Sequence, residues 1–139
     1  PLVAKPTMPV PCVAPPWSEL VAVDLGSAEV KWRVPLGTID KLSPVPLPLE
    51  WGTPTAGGPI VTAGRIAVMA GTTDERIRAW DLETGRELWQ HALPVSGHAT
   101  PMTYEVDGRQ FIVVAAAGHM FLPPQRSGDQ LVAFALPAD

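Results

Sequence analysis

Apolar and polar residues alternate along this chain in short stretches, and the alternation predicts a succession of β-strands. Glu19 to Asp24 alternates with a period of two, and Glu29 to Val34 does so again across a Leu25-Gly26-Ser27-Ala28 turn. Pro59 to Thr62 and Ile66 to Ala70 flank Ala63-Gly64-Arg65 as a second hairpin. Arg76 to Asp81 and Glu87 to His91 form a third across Leu82-Glu83-Thr84-Gly85. Thr100 to Tyr104 and Gln110 to Ala116 form a fourth across Asp107-Gly108, a pair that tight hairpins favour. Leu131 to Leu136 is the last strand, and no window carries the period of an amphipathic helix. Three stretches read as irregular: a proline-rich lead-in over 1–17, a long loop over 35–58, and Gly118 to Asp129.

Two of these hairpins are copies of one phrase. Ala22-Val-Asp-Leu-Gly-Ser-Ala-Glu-Val-Lys-Trp32 aligns with Ala79-Trp-Asp-Leu-Glu-Thr-Gly-Arg-Glu-Leu-Trp89, placing Asp24 on Asp81 and Trp32 on Trp89. Leu131-Val-Ala-Phe-Ala-Leu136 begins a third copy. Repeats of this length mark modular architectures such as propeller blades, whose units cannot bury their apolar faces alone. Grouped in fours, the strands give the outer half of a blade over 18–34, a complete blade over 59–91 and three strands of a closing blade over 99–137. The fold expected is all-β, a partial β-propeller.

Composition supports this picture and removes several functions. The chain has 139 residues, 46% hydrophobic and 17% charged, with 17 prolines and 12 glycines favouring strands and turns over helices. A net charge of -4 without a basic run leaves nucleic-acid binding no electrostatic footprint. Cys12 is the single cysteine, so no internal disulfide or cysteine-rich zinc site can form. No apolar run is long enough for a spanning helix. The start, Pro1-Leu-Val-Ala-Lys-Pro6, has neither an initiator Met nor the pattern of a signal peptide, which leads us to expect a segment of something longer. The histidines show no metal-ligand spacing, Gly57-Gly58 lacks the helix and Lys-Ser/Thr pair of a phosphate loop, and no Gly-x-Ser-x-Gly is present.

The repeat Ala-x-Asp-x-x-x-Gly-x-x-x-Trp, with Gly85 and Trp89, resembles the tryptophan-docking motif of pyrroloquinoline quinone (PQQ) dehydrogenases. Further runs follow the same pattern: Pro11-Cys12 with Pro15-Pro16-Trp17, Val34-Pro-Leu-Gly-Thr38, and Gly52-Thr-Pro54 leading to Gly57-Gly-Pro-Ile-Val-Thr-Ala-Gly64. So do Ala99-Thr-Pro-Met-Thr-Tyr104 and Val132-Ala-Phe-Ala-Leu-Pro137. Together they resemble the C-terminal end of the membrane-bound glucose, quinate and polyol dehydrogenase group across nearly the whole chain. The resemblance implies about two four-stranded blades of an eight-bladed propeller. It implies PQQ with a divalent cation, Ca or Mg, in an intact enzyme that oxidises a sugar, polyol or cyclitol alcohol and reduces ubiquinone. It also implies a periplasmic place, with membrane association through parts outside this chain. The chain departs from the pattern in Ala28, where the motif has glycine, and in residues 120–127, which replace a glycine-rich loop.

The resemblance places the principal cofactor, cation and base residues in earlier blades, so no catalytic residue and no metal ligand is assigned here. Two residues match positions near the cofactor or substrate: His119 of the Gly-His pair and Asp74 on Gly71-Thr-Thr-Asp. Loop hydrogen bonding and turn capping are their ordinary alternatives. Asp24 and Asp81 are expected to accept hydrogen bonds from their own turns, and Trp32 and Trp89 to pack between blades. Trp17 and Trp51 sit in irregular segments where an aromatic can line a channel, and packing is the reading preferred for both. His91 and His98 are expected at the surface. The remainder of the propeller, in the same or a separate chain, is the expected partner, and open blade edges invite self-association. A non-catalytic module of PQQ-like repeats for binding or assembly is the alternative.

Overall fold

The structure, a computed structural model, describes residues 11–43, 48–122 and 126–136. Residues 1–10 of the lead-in, 123–125 of the divergent loop and 137–139 at the end lie outside the described residues, as do 44–47 of the long loop. The described residues contain nine strands and no helix.

Strands β1 (Glu19–Val23) and β2 (Val30–Pro35) form a two-stranded antiparallel sheet. β3 (Ile60–Val61), β4 (Ile66–Met69), β5 (Arg76–Asp81) and β6 (Glu87–Ala92) follow as a four-stranded meander. β7 (Met102–Val106), β8 (Arg109–Gly118) and β9 (Ser127–Ala135) make a three-stranded one. Each sheet pairs strands in sequence order, the up-and-down pattern of propeller blades.

The two copies of the repeat fold alike. In β1–β2 the pairing register shifts between Ala22 and Val23, and in β5–β6 it shifts between Ala79 and Trp80, the matching place. The aspartate that follows closes each turn. Asp24 Oδ1 accepts from the N–H groups of Gly26 at 2.8 Å and Ser27 at 3.0 Å. Asp81 Oδ1 accepts from the N–H of Glu83 at 3.0 Å, and from the N–H and hydroxyl of Thr84, both at 2.8 Å. These donors favour the charged form: the Ser27 and Gly26 N–H groups hold Asp24 below the usual carboxylate range, and the Thr84 hydroxyl and N–H do so for Asp81. The left-handed turn residue is Gly85 at φ 72 in one copy and Ala28 at φ 58 in the other, so the first turn carries strain that glycine avoids. At Asp107 and Gly108 both φ values are positive, 50 and 75, as a tight hairpin turn requires.

β5 is buried on both faces, and this makes the four-stranded sheet the centre of the molecule. Ile77 and Ala79 face a cluster with Val68, Ala70, Leu93, Val95, Val114 and Ala116, which joins it to the three-stranded sheet. Trp80, on the alternate face, joins Met69 and Leu36, with Leu20 and Val34 packed alongside from the two-stranded sheet. The long loop is no loose connection, since Leu36, Ile39 and Leu42 are buried. The last irregular stretch is shorter than its glycines suggest. β8 runs to Gly118, β9 starts at Ser127, and these two residues pair. The reading of Gly118 to Asp129 as irregular is therefore corrected at both ends.

Trp32 bridges two sheets. Its Nε1–H donates to the Leu82 carbonyl at 2.9 Å, in the β5–β6 turn, and its ring lies over Gly85. A Cβ at Gly85 would stand 2.7 Å from Trp32 Cδ2 and 2.8 Å from Cε3. Lys31 reaches Glu83 of the same turn at 3.8 Å, and Glu83 is also paired with Arg65. Trp89 has different neighbours: it stacks on His91 and meets Phe134 of β9 edge-on at 5.1 Å, with 39% of its surface exposed. Among the described residues no glycine turn covers it. Gly85→Ala is expected to destabilise the protein by about 2–4 kcal/mol, from the left-handed backbone and the crowded indole together. Trp32→Phe, which loses the indole hydrogen bond and part of the ring's packing on the turn, costs about 2 kcal/mol. Urea-induced unfolding of both variants measures the difference.

Candidate functional site

Loops joining the strands meet in a polar cluster, built outward from the segment between β4 and β5. Gly71 lies so close to the Ala56 carbonyl that no Cβ fits there, and Thr55 Oγ1 donates to the Gly71 carbonyl. Thr73 N–H donates to Thr53 Oγ1 at 3.2 Å. Ser18 then fixes Thr53: its hydroxyl donates to the Thr53 carbonyl at 2.7 Å. The loop 36–43, the loop 53–58 and the segment 71–75 are thus held together by these hydroxyls and by backbone bonds from the Thr53 N–H to the Leu36 carbonyl at 2.9 Å and from the Ala56 N–H to the Gly71 carbonyl at 3.4 Å.

Asp74 is 2% exposed and saturated with partners. Its Oδ1 accepts from the Thr72 hydroxyl at 2.6 Å, and its Oδ2 from the Thr38 N–H at 2.9 Å. Arg78, itself 4% exposed, grips both carboxylate oxygens, and Arg76 stands 3.7 Å from Oδ2. Burial pushes this carboxyl up, but Arg78, Thr72 and the Thr38 N–H outweigh burial and hold it below the usual carboxylate range. Asp74 joins loops through a buried ion pair, which goes beyond capping its own turn.

His119 follows β8. The Phe121 N–H donates to His119 Nδ1 at 3.1 Å, so the neutral ring carries its proton on Nε2. The ring meets His98 edge-on at 5.3 Å. Contrary to the expectation of a surface position, His98 is only 8% exposed. It is enclosed because Gly57, at φ 80, packs against its carbonyl, and its ring lies beside His119. Neither ring nitrogen of His98 has a hydrogen-bond partner of normal geometry, although the Gly71 and Ala56 carbonyls lie toward them. Burial lowers its pKa, His119 lowers it further, and those two carbonyls oppose the shift. His91 is exposed. Trp17 and Trp51 pack edge-to-face at 5.9 Å.

The two candidates share the loop cluster without touching: Asp74 contacts Thr38, Thr72, Arg76 and Arg78, and His119 contacts His98 and Phe121. A cleft of about 210 Å³ opens between β2 and β5–β6, lined by residues including Thr38, Arg78, Glu87 and Gln90. Arg78 connects it to Asp74 and reaches Glu87 at 3.3 Å; burial raises the Glu87 pKa, which Arg78 opposes. Neither candidate lines the cleft. Among the described residues no three His, Cys, Asp or Glu side chains come together in a way that could hold a metal. Sequence reasoning missed Arg78 and Glu75. The alternation of β5 carried a signal for Arg78, since Ile77 and Ala79 claim one buried face and leave arginine on the other, beside Trp80.

Sequential antiparallel meanders joined by a tryptophan on a glycine turn define a segment of a β-propeller. Residues 3–112 match the PQQ family described as the glucose/ethanol/alcohol dehydrogenase β-propeller domain, and the chain belongs to that family. It is 44% identical over 134 residues to the quinoprotein glucose dehydrogenase of Escherichia coli K12, covering 94% of this chain and 17% of that protein. It is also 44% identical over 131 residues to the glycerol dehydrogenase large subunit of Gluconobacter oxydans, covering 91% and 18%. Against the quinate/shikimate dehydrogenase (quinone) of Acinetobacter baylyi the identity is 38%, covering 91% and 16%. The quinohemoprotein alcohol dehydrogenase of Comamonas testosteroni superposes with a TM-score of 0.59 at 27% identity, covering 84% of this chain and 16% of that one. The chain spans less than a fifth of the length of these relatives.

Removing the Asp74 charge leaves the buried Arg78 guanidinium with only the partly exposed Glu87 as a carboxylate partner, so Asp74→Asn should cost about 3 kcal/mol in urea-induced unfolding. The pH profile has two parts. His98 has a folded pKa below its ordinary 6.5, so its contribution to stability is full above pH 6.5 and declines below it. Asp74 has a folded pKa below its ordinary 3.8, so its contribution persists to about pH 3.8 and is lost on further acidification. His98→Gln should flatten the upper part of the profile and leave the lower part in place.

Proposed function

We propose that this chain is the C-terminal propeller segment of a PQQ-dependent dehydrogenase that oxidises a sugar, polyol or cyclitol alcohol and passes electrons to ubiquinone. Residues 18–34 give the outer half of one blade, 59–91 a complete blade, and 99–137 three strands of the closing blade. The intact enzyme works on the periplasmic side and is membrane-associated through parts outside this chain. Its relatives, named as quinoprotein glucose, glycerol and quinate dehydrogenases, support this reading.

The observation that carries a role for this segment is the fixed tautomer of His119. With Nδ1 occupied by the Phe121 N–H, Nε2–H is the donor left for a carboxylate or carbonyl oxygen of the cofactor or substrate. His119 fits PQQ, which bears such oxygens. Among the described residues no three His, Cys, Asp or Glu side chains come together to hold the cation, and its main ligands are expected from the rest of the protein. When bound, the quinone supplies the two-electron redox chemistry that side chains lack. In this reading His119 orients it, with the His98 ring packed edge-to-face against the imidazole at 5.3 Å. Asp74 keeps the neighbouring loops in register and stays out of the chemistry, because its carboxylate is fully engaged by Arg78, Thr72 and Thr38. The isolated segment therefore orients without catalysing.

Calorimetric titration of PQQ with Ca or Mg tests this, using the chain alone and the chain joined to its upstream sequence. We expect binding by the longer form only, weakened about tenfold by His119→Ala, the loss of one charge-assisted hydrogen bond. Binding by neither form would overturn the proposal in favour of a non-catalytic repeat module for protein binding or assembly.

A further inference from the structure

Glu75 is a buried carboxylate that the proposed chemistry does not use. It is 5% exposed and sits at φ 59, a left-handed conformation that costs a glutamate energy and that Asn or Gly adopts more readily. Three loops converge on it. Its Oε1 accepts from Arg126 Nη1 at 2.8 Å, its Oε2 stands 3.6 Å from Lys41 Nζ, and its main-chain carbonyl accepts from the Leu93 N–H at 2.7 Å. The first contact belongs to the β8–β9 connection, the second to the loop 36–43, and the third to the start of the loop 93–98.

Both sides of His119 trace back to this residue. On one side, Arg126 leads directly into the Gly118–Ser127 pair that closes the hairpin, and the Arg126 carbonyl lies so close to Gly118 that no Cβ fits there. Gly118 is the residue before His119. On the other side, the loop that begins at Leu93 supplies the Ser96 carbonyl, which accepts from the Gly118 N–H at 2.9 Å, and the His98 ring against His119. We propose that Glu75 is a positioning residue for His119, acting through the ion pair with Arg126 and the backbone bond to Leu93.

A carboxylate withdrawn from water needs compensating charge and hydrogen bonds, and removing one partner leaves it poorly solvated. Here Arg126 supplies the direct contact and Lys41 the longer one, so loss of Arg126 frees the loop while Glu75 keeps a counter-ion. Arg126 is half exposed, and its substitution perturbs the core little. The backbone of the 118–121 turn, by contrast, loses the restraint that presents Nδ1 of His119 to the Phe121 N–H.

The proposal rests on the reading of His119 as the residue that faces the cofactor, and its test separates the two. Glu75→Gln, Arg126→Gln and Arg126→Lys are prepared in the chain joined to its upstream sequence, without PQQ. Imidazole NMR of His119 and hydrogen exchange at Gly118 and Phe121 are then recorded. The unsubstituted protein should show a single Nε2–H tautomer. Glu75→Gln and Arg126→Gln should each give a mixture of tautomers and exchange about tenfold faster at these two amides, with β5 amides unchanged. Arg126→Lys, which keeps the charge, should restore most of the single-tautomer signal. A single unchanged tautomer in both Gln variants, with β5 intact, would overturn the proposal. So would a mixture that Arg126→Lys leaves as large as Arg126→Gln does. The same variants are then titrated with PQQ and Ca or Mg by calorimetry, where a tautomer shift accompanied by unchanged PQQ affinity would uphold the positioning role and overturn the reading of His119 as cofactor-facing.

Discussion

The indole of Trp32 resting on Gly85 is the contact on which the arrangement of the sheets depends. It needs two things at once from the facing turn: a residue with no Cβ, and a left-handed backbone at φ 72. Asp81 provides the second by collecting the turn's N–H groups, and the Leu82 carbonyl gives the indole N–H its acceptor. Once the ring is seated, Leu20 and Val34 come to rest beside Leu36, Met69 and Trp80, and the apolar faces of two sheets close over one another. Charge follows the same seam, with Lys31 and Arg65 both on Glu83.

On the other side of the four-stranded sheet the joint is different in kind. Val68, Ile77 and Ala79 pack against Val114 and Ala116 without a comparable aromatic key, and Trp89 lies beside Phe134 with part of its ring open to solvent. The same motif residue is thus a completed dock in one copy and a half-covered ring in the other. The difference lies in what faces it: a glycine turn for Trp32 and the strand β9 for Trp89. With the sheets fixed by apolar packing, the connecting loops are free to carry buried polar groups. Asp74 with Arg78, and Glu75 with Arg126, use that freedom to bind loops that are distant in sequence.

The strands were legible because their signals are local. Period-two alternation and turn residues such as Asp107-Gly108 act within a few positions, and the bulge before each repeat aspartate follows the aligned sequence. The ends of β8 and β9 were not legible, since Gly118 and Gly128 read as loop residues until the two strands pair. The candidate site was legible only as isolated residues. Nothing near His98 in sequence announces that Gly57 and His119 will enclose it. The burial of Glu75 likewise depends on Arg126 and Lys41, which the sequence places far away on either side. Such groups are found by packing between loops, and local pattern carries no trace of it. Asp24, Asp81 and Trp32 were the exceptions, because the repeat itself defines their geometry.

A double-mutant cycle on Trp32→Ala and Gly85→Ala tests the central contact most directly. If the indole rests on Gly85, the methyl group added at Gly85 meets no ring once Trp32 is gone. The cost of Gly85→Ala should then fall to about 1 kcal/mol, the backbone term alone, giving a coupling energy of about 1–3 kcal/mol. Additive costs within about 0.5 kcal/mol would contradict the account, because the two residues would then contribute independently and the tryptophan would not be what holds the sheets in place.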